Sequence, residues 1–406
     1  MHVSLPGIHF CLFKHEDSKQ RSCAKKMDVS SDILCTSLFF DTLWLNKKLL
    51  KTVIIFILVL AMRIVVLKNN KHKSSYTASV YALLEEIGRS KGFDIQFADK
   101  FKNVSAAGNN SIIFVTTTST SFFNRFLQRQ KLTSFIKKYK TELLIQHVVS
   151  HVKQKRIPQL LIADDIEGLP AVKKVSYSKI FLLTYSLFAK QAIADKGFTN
   201  IVHMVPFFAG AKFQPITWSM KQQVKIDYTE GREYFVISNH FKSLDVILKL
   251  LKAFSGFKKW QQSSMKLVIT GKLYVPRDDW EEKWNTYKYR EDVLVYNKLA
   301  EEEKVKLLAG AYACIHLPKN DNDLLPLLQA MQCHTPAITF ETASIKEYAS
   351  GAALTATADN YVELTQQMIL MYKDENQRSK LIENCALRSA EFSKQNAMQV
   401  LQTIIL

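Results

Sequence analysis

Cysteine, glycine and proline are all scarce in this chain, and each scarcity excludes a class of protein. Its 406 residues include 6 Cys, 12 Gly and 9 Pro. Six cysteines are too few for a disulfide scaffold of this length, so a reducing, cytoplasmic compartment is expected. Little glycine and proline excludes collagen-like and low-complexity chains, and an apolar fraction of 47% excludes a disordered one.

Long hydrophobic runs are also missing, and the mean hydropathy of −0.06 excludes a polytopic membrane protein. The most apolar run, residues 53–62, has ten residues between Lys51 and Arg63. A membrane-spanning helix needs about 20. A signal peptide would need a small-residue cleavage site after the run. A hydrophobic anchor at 53–62 is therefore kept only as an alternative.

Residues 1–61 are predicted to be an N-terminal extension. Its Cys and His residues do not have zinc-site spacing, because His9 and Cys11 are too close and Cys23 and Cys35 too far apart. No metal site is expected. Residues 62–67 form a β-branched run typical of a first buried parallel strand. A second hypothesis is that Met62 is the true start and residues 1–61 lie upstream of it.

Acidic residues are outnumbered, 37 against 55 Lys and Arg, which gives a net charge of +18. Such an excess favours a polyanionic neighbour. Residues 122–156 concentrate it, with nine basic residues, one acid and interleaved apolar residues. This pattern predicts either peripheral contact with an anionic membrane surface or a solvated helix face beside a core strip. No nucleic-acid partner is expected, because no known binding signature accompanies the charge.

From residue 62 onward, short apolar runs alternate with segments of helical period. Such alternation predicts βαβ units and parallel sheets, hence an α/β fold. Strands are predicted at 62–67, 94–98, 111–116, 143–147, 159–163, 180–185, 201–206, 234–238, 266–271, 293–296, 311–316 and 336–340. Helices are predicted at 76–89, 246–254, 301–308, 324–331 and 381–406.

The polar segment 217–232 lacks a buried run and is predicted to be a linker. It divides two Rossmann-like parallel-sheet domains, 62–228 and 229–390, that face a cleft. Ligands of such sheets bind at the carboxyl ends of the strands. The predicted C-terminal helix, 381–406, ends in a separate segment, 391–406. This helix is expected to pack partly on the first domain through an apolar face that includes Leu387 and Leu401.

Ordered sequence blocks in the second half carry a family resemblance. They are residues 234–238, 250–254, 265–271, 287–293, 307–312, 325–331, 335–339 and 347–353. They resemble the retaining, nucleotide-sugar-dependent glycosyltransferases of the GT-B fold, the group 1 or family-four class, in a divergent bacterial form. The first half resembles the family more loosely, at 158–165, 186–190 and 213–215.

The resemblance implies a hexosyltransferase-type enzyme of cell-envelope polysaccharide biosynthesis. It would move a sugar from a nucleotide-sugar to a glycan, lipid-linked or cell-envelope acceptor, without a cofactor or metal. Asp321 and Gln329 take the places of the family's paired glutamates, Asp321 as the catalytic carboxylate and Gln329 toward the ribose. His240 and Lys242 stand in the segment whose cations hold the diphosphate, and the family's Lys position falls on Asp245.

The remaining implied site residues lie at two edges of the cleft. Glu347, near the sugar-binding edge, is a further donor-binding residue, and Asp164 and Asp165 replace a His-Asp pair on the acceptor side. The family's glycines between the paired glutamates are replaced by residues 322–324. These departures support an alternative function, a catalytically inactive GT-B scaffold that acts as a binding or regulatory subunit.

Overall fold

The computed structural model describes residues 2–5, 8–11, 62–69, 74–99, 110–117, 122–150, 152, 154, 156–169, 179–238 and 241–406. They fall into two compact units, Met1–Val59 and Leu60–Leu406. In the first unit, strands β1 (His2–Leu5) and β2 (Ile8–Cys11) pair antiparallel. The hypotheses about a start at Met62, an anchor and metal binding concern residues that lie largely outside the described ranges.

A seven-stranded parallel sheet in the described chain forms the first lobe of the second unit. Its strands are β3 (Arg63–Asn69), β4 (Asp94–Asp99), β5 (Ser111–Thr117), β6 (Leu143–His147), β7 (Gln159–Ile162), β8 (Ile180–Thr184) and β9 (Val202–Met204). Their order across the sheet is β4-β5-β3-β6-β7-β8-β9. Ile64, Val65 and Val66 of β3 have no exposed surface, as a strand covered on both faces requires.

The first lobe's helices are α1 (Ser75–Ser90), α2 (Phe122–Lys138) and α3 (Leu187–Asp195). Ser74 caps α1 by accepting a hydrogen bond from the Thr77 amide at 3.0 Å. On α2, Leu132, Phe135 and Ile136 are buried beneath exposed cations. Residues 129–140 of the basic segment are therefore a solvated face beside a core strip.

A six-stranded parallel sheet in the described chain forms the second lobe. Its strands are β10 (Tyr234–Ser238), β11 (Lys266–Thr270), β12 (Val293–Tyr296), β13 (Ala313–His316), β14 (Ala337–Phe340) and β15 (Ala353–Ala356). The spatial order of the strands is β12-β11-β10-β13-β14-β15. Strands β11 and β12 extend the sheet to one side of β10, and β13 returns to start the other side. The predicted α/β class with two separate parallel sheets is confirmed.

Helices surround this sheet and continue to the end of the described chain. They are α4 (Trp218–Thr229), α5 (Leu244–Gln261), α6 (Arg277–Asn285), α7 (Glu301–Gly310), α8 (Leu325–Gln332), α9 (Ala343–Ala349), α10 (Tyr361–Lys373), α11 (Glu375–Glu391) and α12 (Lys394–Ile405).

The stretch predicted as a linker is helix α4, which packs on α7 of the second lobe. Val224 meets Gly310 there, where a Cβ on the glycine would lie 3.0 Å from the valine side chain. Lys225 is buried and pairs with Glu233. The segment still connects the two sheets, as predicted, but it is a packed helix. Sequence analysis missed this helix because one small apolar contact and one lysine stem replace the usual apolar stripe.

The predicted helix 381–406 is two helices, α11 and α12, separated at Phe392 and Ser393. Ser393 caps α12 by accepting from the Asn396 amide at 3.2 Å. The break ends the continuous apolar face, so Leu387 is 67% exposed. Helix α12 packs on α1, where Lys394 pairs with Glu86. The expected contact with the first lobe is confirmed.

Tyr348 of α9 joins the two lobes along a buried seam. Its hydroxyl donates to the Tyr185 carbonyl and accepts from the Phe207 amide at 2.9 Å. Its ring stacks on Phe392 with centroids 4.2 Å apart. Tyr76 of α1 packs edge-on against both Tyr185 and Phe207, so aromatic rings from both lobes form one core.

Replacing Tyr348 with Phe should lower the free energy of unfolding by about 1–3 kcal/mol. The Phe207 amide would lose its acceptor and the Tyr185 carbonyl its donor in a buried seam. Urea unfolding measures the change. Tyr361→Phe is the matched control, because the Tyr361 hydroxyl makes no hydrogen bond within the described residues. Equal stability of the two variants would contradict this role of Tyr348.

Candidate functional site: the cleft between the two sheets

The second sheet reverses its strand order between β10 and β13, and ligands of open parallel sheets bind beside the strand ends at such a point. Strand β10 ends at Ser238 and β13 at His316. His240, predicted as a donor-binding residue, lies outside the described residues. The carboxyl edge of β10 and β13 is the start of the candidate site.

Lys242 follows β10 and is exposed, with no hydrogen bond or ion pair to another described residue. The preceding Phe241 is buried and holds the loop. Its amide donates to the Lys272 carbonyl at 3.1 Å, and its carbonyl accepts from the Tyr274 amide at 2.7 Å. The structure therefore places an uncommitted cation just beyond the strand end, as predicted.

Asp245, at the family's Lys position, lies in the first turn of α5. It is exposed and pairs with Lys249 at 2.7 Å. A carboxylate in a helix's first turn is favoured by the helix dipole. Asp245 therefore stabilises the helix start and adds no cation to the cleft.

Asp321 and Gln329 flank the start of α8. Asp321 is half-buried in the loop after β13, where its Oδ1 accepts from the Ser344 amide at 3.2 Å. Gln329 is half-buried within α8, and its side-chain amide bonds to no other described residue. The predicted positions at the carboxyl edge agree with the structure.

The loop between β13 and α8 does not have the glycine-rich character of the family. Leu324 fills the core with no exposed surface. Asp323 accepts from the Lys319 amide at 3.2 Å and donates its own amide to the Asn320 carbonyl at 3.2 Å. Two amides that a phosphate could use are thus bonded within the loop.

His316, which the sequence did not single out, is buried at the end of β13. Its Nδ1 lies 3.2 Å from the Thr339 hydroxyl, and its Nε2 has no partner among the described residues. Burial lowers the pKa of His316 to about 4, so the ring is neutral at pH 7. Its position as the last residue of a switch-point strand was the available sequence signal.

Asp164 is buried on the first lobe's side of the cleft, between β7 and α1. Its Oδ1 lies 2.6 Å from His147 Nε2, and its Oδ2 accepts from Thr77 Oγ1 at 2.5 Å and from the Ser74 hydroxyl. His147 Nδ1 accepts from the Val149 amide at 3.2 Å, which assigns the Nε2 proton to the bond with Asp164.

Burial alone would raise the pKa of Asp164, but the bonds from His147, Ser74 and Thr77 outweigh it and hold this pKa below its ordinary value. Both carboxylate oxygens of Asp164 are therefore engaged inside the first lobe. These three partners were missed by sequence reasoning. His147 ends the strand next to β7, so parallel strand ends were the signal that could have found it.

Asp165, the second predicted acceptor-side residue, is exposed. Its Oδ1 accepts from the Gly168 amide at 3.0 Å, closing a tight turn. The space above Gly168 is taken by the same carboxylate, which a Cβ there would approach to 2.3 Å. Asp165 thus shapes the loop beside Asp164.

Glu347 lies in the seam between the lobes. Its two oxygens accept from the Leu187 amide at 2.8 Å and the Phe188 amide at 3.0 Å, the first residues of α3. The charge also complements the helix dipole. Arg388 holds the Glu347 carbonyl at 2.8 Å. The resemblance predicts that Glu347 binds the donor. In this structure both of its carboxylate oxygens instead cap a helix of the other lobe.

Asn322 connects the two sides of the cleft, since its Nδ2 donates to the Asp164 carbonyl at 2.7 Å. The structure thus brings the loop that carries Asp321 to Asp164. Gln329 lies in α8, which follows this loop, and Lys242 lies beyond the neighbouring strand β10. Within the described ranges, His, Cys, Asp and Glu form no group that could hold a metal ion. Among the described helices, none is long and apolar enough to cross a membrane.

Sequence comparison identifies a relationship for the second lobe. Residues 220–388 match the family model for glycosyl transferases group 1. This match covers less than half of the chain and includes Lys242, Asp321 and Gln329. No curated protein sequence matches the chain.

Comparison with solved structures extends the likeness to both lobes. A glycosyltransferase from Rickettsia africae superposes with a TM-score of 0.65 at 11% identity, covering 85% of this chain and 97% of that one. WaaG, a glycosyltransferase involved in lipopolysaccharide biosynthesis, gives 0.62 at 10% identity, covering 85% and 99%. Anabaena Alr3699/HepE in complex with UDP-glucose gives 0.61 at 14% identity, covering 84% and 99%. The chain has the GT-B fold of glycosyltransferases, and its second lobe matches their group 1 family.

Proposed function

We propose that this protein is a glycosyltransferase that moves a sugar from a nucleotide-sugar to a glycan, lipid-linked or cell-envelope acceptor. The proposal rests on the group 1 match over residues 220–388. Lys242, Asp321 and Gln329 lie within the matched residues, in segments that follow the two strands between which the strand order reverses. We assign it to the retaining, family-four class, with a hexose as the transferred sugar and a degenerate donor site.

The chemistry of the donor explains the assigned roles. Sugar transfer leaves a nucleoside diphosphate, whose growing charge must be met by cations and N–H groups. Lys242 supplies a cation beside β10, and Asp321 supplies a carboxylate beside the sugar. Gln329 hydrogen-bonds the ribose, but a neutral amide makes bonds roughly half as strong as a carboxylate does. Weak donor binding and slow turnover follow.

Two neighbours support the choice of substrates. HepE was solved with UDP-glucose, and WaaG acts in lipopolysaccharide biosynthesis. A UDP-sugar donor and a cell-envelope acceptor are therefore the first candidates for this chain. The acceptor would enter beside Asp164 and Asp165, where the first lobe forms the wall of the cleft. We place the reaction in the cytoplasm, at the inner face of the membrane.

Helix α2 supports a peripheral membrane contact. Arg129, Lys131 and Lys137 are exposed on it, while its described apolar residues are buried. Such a face attracts anionic lipid by charge, without inserting apolar side chains. A lipid-linked acceptor would then be close to the first lobe.

The alternative is a catalytically inactive scaffold that binds a partner or glycan, and three features of the loop between β13 and α8 favour it. The amides of Lys319 and Asp323 are bonded within the loop, and Leu324 replaces a glycine with a buried side chain. A donor loop held in this way has less freedom to receive a diphosphate. Nucleotide binding separates the two functions, because a scaffold of this kind would bind no nucleoside diphosphate.

A nucleoside diphosphate at 100 times its dissociation constant should stabilise the protein by about 2.7 kcal/mol, measured by thermal shift. Lys242→Ala and Gln329→Ala should each lower that stabilisation at the same ligand concentration. Lys252→Ala, which removes an exposed cation from α5, is the control and should leave it unchanged. Absence of any shift with all common nucleoside diphosphates would favour the scaffold.

Restoring the family's residues with Asp245→Lys and Gln329→Glu together should tighten nucleoside diphosphate binding roughly fivefold or more, because each change adds a charge-assisted contact. Isothermal titration measures it. Asp278→Lys with Gln329→Glu is the control, since Asp278 is also exposed in a helix's first turn. A folded restored variant that binds no better than the parent would contradict the assigned site.

Lys131→Glu with Lys137→Glu should weaken binding to vesicles of phosphatidylcholine with phosphatidylglycerol about 30-fold or more, at about 1 kcal/mol per lost cation. Cosedimentation measures it. Lys252→Glu with Lys259→Glu makes the same charge change on exposed positions of the second lobe and should have a smaller effect. Equal losses from both pairs would show that only net charge matters.

A further inference from the structure

We propose that Asn322 is a positioning residue that couples closure of the cleft to the placement of Asp321. The part of this proposal that concerns catalysis rests on the proposed function, whereas the part that concerns closure does not. Sequence analysis placed Asn322 among the residues that replace the family's glycines, but it gave Asn322 no role of its own.

The bond made by Asn322 crosses the cleft to a rigid acceptor. Its Nδ2 donates to the Asp164 carbonyl at 2.7 Å, between half-buried and buried residues. Asp164 cannot shift easily, because His147, Ser74 and Thr77 all bond its carboxylate. The acceptor oxygen is therefore fixed in the first lobe before the loop reaches it.

The adjacent residue, Asp321, is bonded on the opposite side of the loop. Its Oδ1 accepts from the Ser344 amide at 3.2 Å, and the Ser344 hydroxyl lies 3.3 Å from that of Ser186 in the first lobe. Consecutive side chains thus hold the loop to α9 and to the first lobe. If the lobes separate, the Asn322 bond breaks, and the loop that carries Asp321 loses one of its two restraints.

This arrangement makes different predictions for binding and for turnover. Lys242 and Gln329 belong to the second lobe, so the nucleotide can bind without the Asn322 contact. Placement of Asp321 beside the sugar needs the closed cleft. Loss of the Asn322 bond should therefore lower kcat while the dissociation constant for a nucleoside diphosphate stays nearly constant.

The test compares Asn322→Asp with Asn320→Asp in the full-length chain. Both variants put one negative charge in the same loop, but the Asn320 side chain is exposed and bonds to no other described residue. Only Asn322→Asp replaces a donor with an oxygen that faces the Asp164 carbonyl. The pair therefore separates the cross-cleft bond from the effect of charge.

Amide hydrogen exchange at Leu187 and Phe188 reports closure, because Glu347 of the other lobe accepts both amides. We expect exchange about tenfold faster in Asn322→Asp than in Asn320→Asp, the factor for one lost hydrogen bond. Equal exchange in the two variants would overturn the coupling.

Kinetics with a nucleotide-sugar test the catalytic part. A kcat about tenfold lower in Asn322→Asp than in Asn320→Asp, with UDP dissociation constants within twofold, supports positioning. A selective loss of UDP binding in Asn322→Asp would overturn it, because Asn322 would then contact the donor. If the unmodified protein neither binds UDP nor transfers sugar, the proposed function fails, and the exchange comparison alone decides the role of Asn322 in closure.

Discussion

The contact of helix α9 with the first lobe is the interaction on which the rest of the structure depends. Glu347 caps α3 with both carboxylate oxygens, and Tyr348 bonds Tyr185 and Phe207 through one hydroxyl. These partners are main-chain groups, so they have little freedom to move. Two sheets that share no strand pairing are thereby joined through α9.

This contact also determines which groups are available for chemistry. Glu347 and Asp164 are carboxylates whose oxygens are fully engaged in the seam and in the first lobe. Lys242 and Gln329 have no such commitments among the described residues. The cleft therefore separates residues that hold the lobes from residues that can bind a ligand. Asp321, with one bonded oxygen, belongs partly to each group.

The sequence predicted the sheets well because buried parallel strands leave a direct pattern. The strand 143–147 and the strand 293–296 have the predicted bounds, since each is a short apolar run between polar turns. Helix α4 was missed because its buried face is made by Val224, Lys225 and Thr229 rather than by an apolar stripe. Local periodicity cannot show which polar residue a neighbouring helix will cover.

The positions of the candidate site residues were predicted only where they follow from the ends of strands. Positions such as Lys242 and Asp321 depend on chain order alone, and the structure places them as expected. The role of Glu347 and the cluster around Asp164 depend on pairs about 160 and 17 to 90 positions apart. A single sequence carries no record of such pairs, because each partner looks like an ordinary surface residue.

The crossing of α12 onto α1 has a consequence for how the molecule forms during synthesis. Leu401 and Ile405 belong to the same buried cluster as Val80 and Leu84 of α1. The first lobe leaves the ribosome early, yet part of its core is supplied by residues made after the whole second sheet. Folding from the N-terminus therefore leaves the part of α1 that α12 contacts uncovered until residues 394–405 have left the ribosome. The lobe that is begun first is completed last.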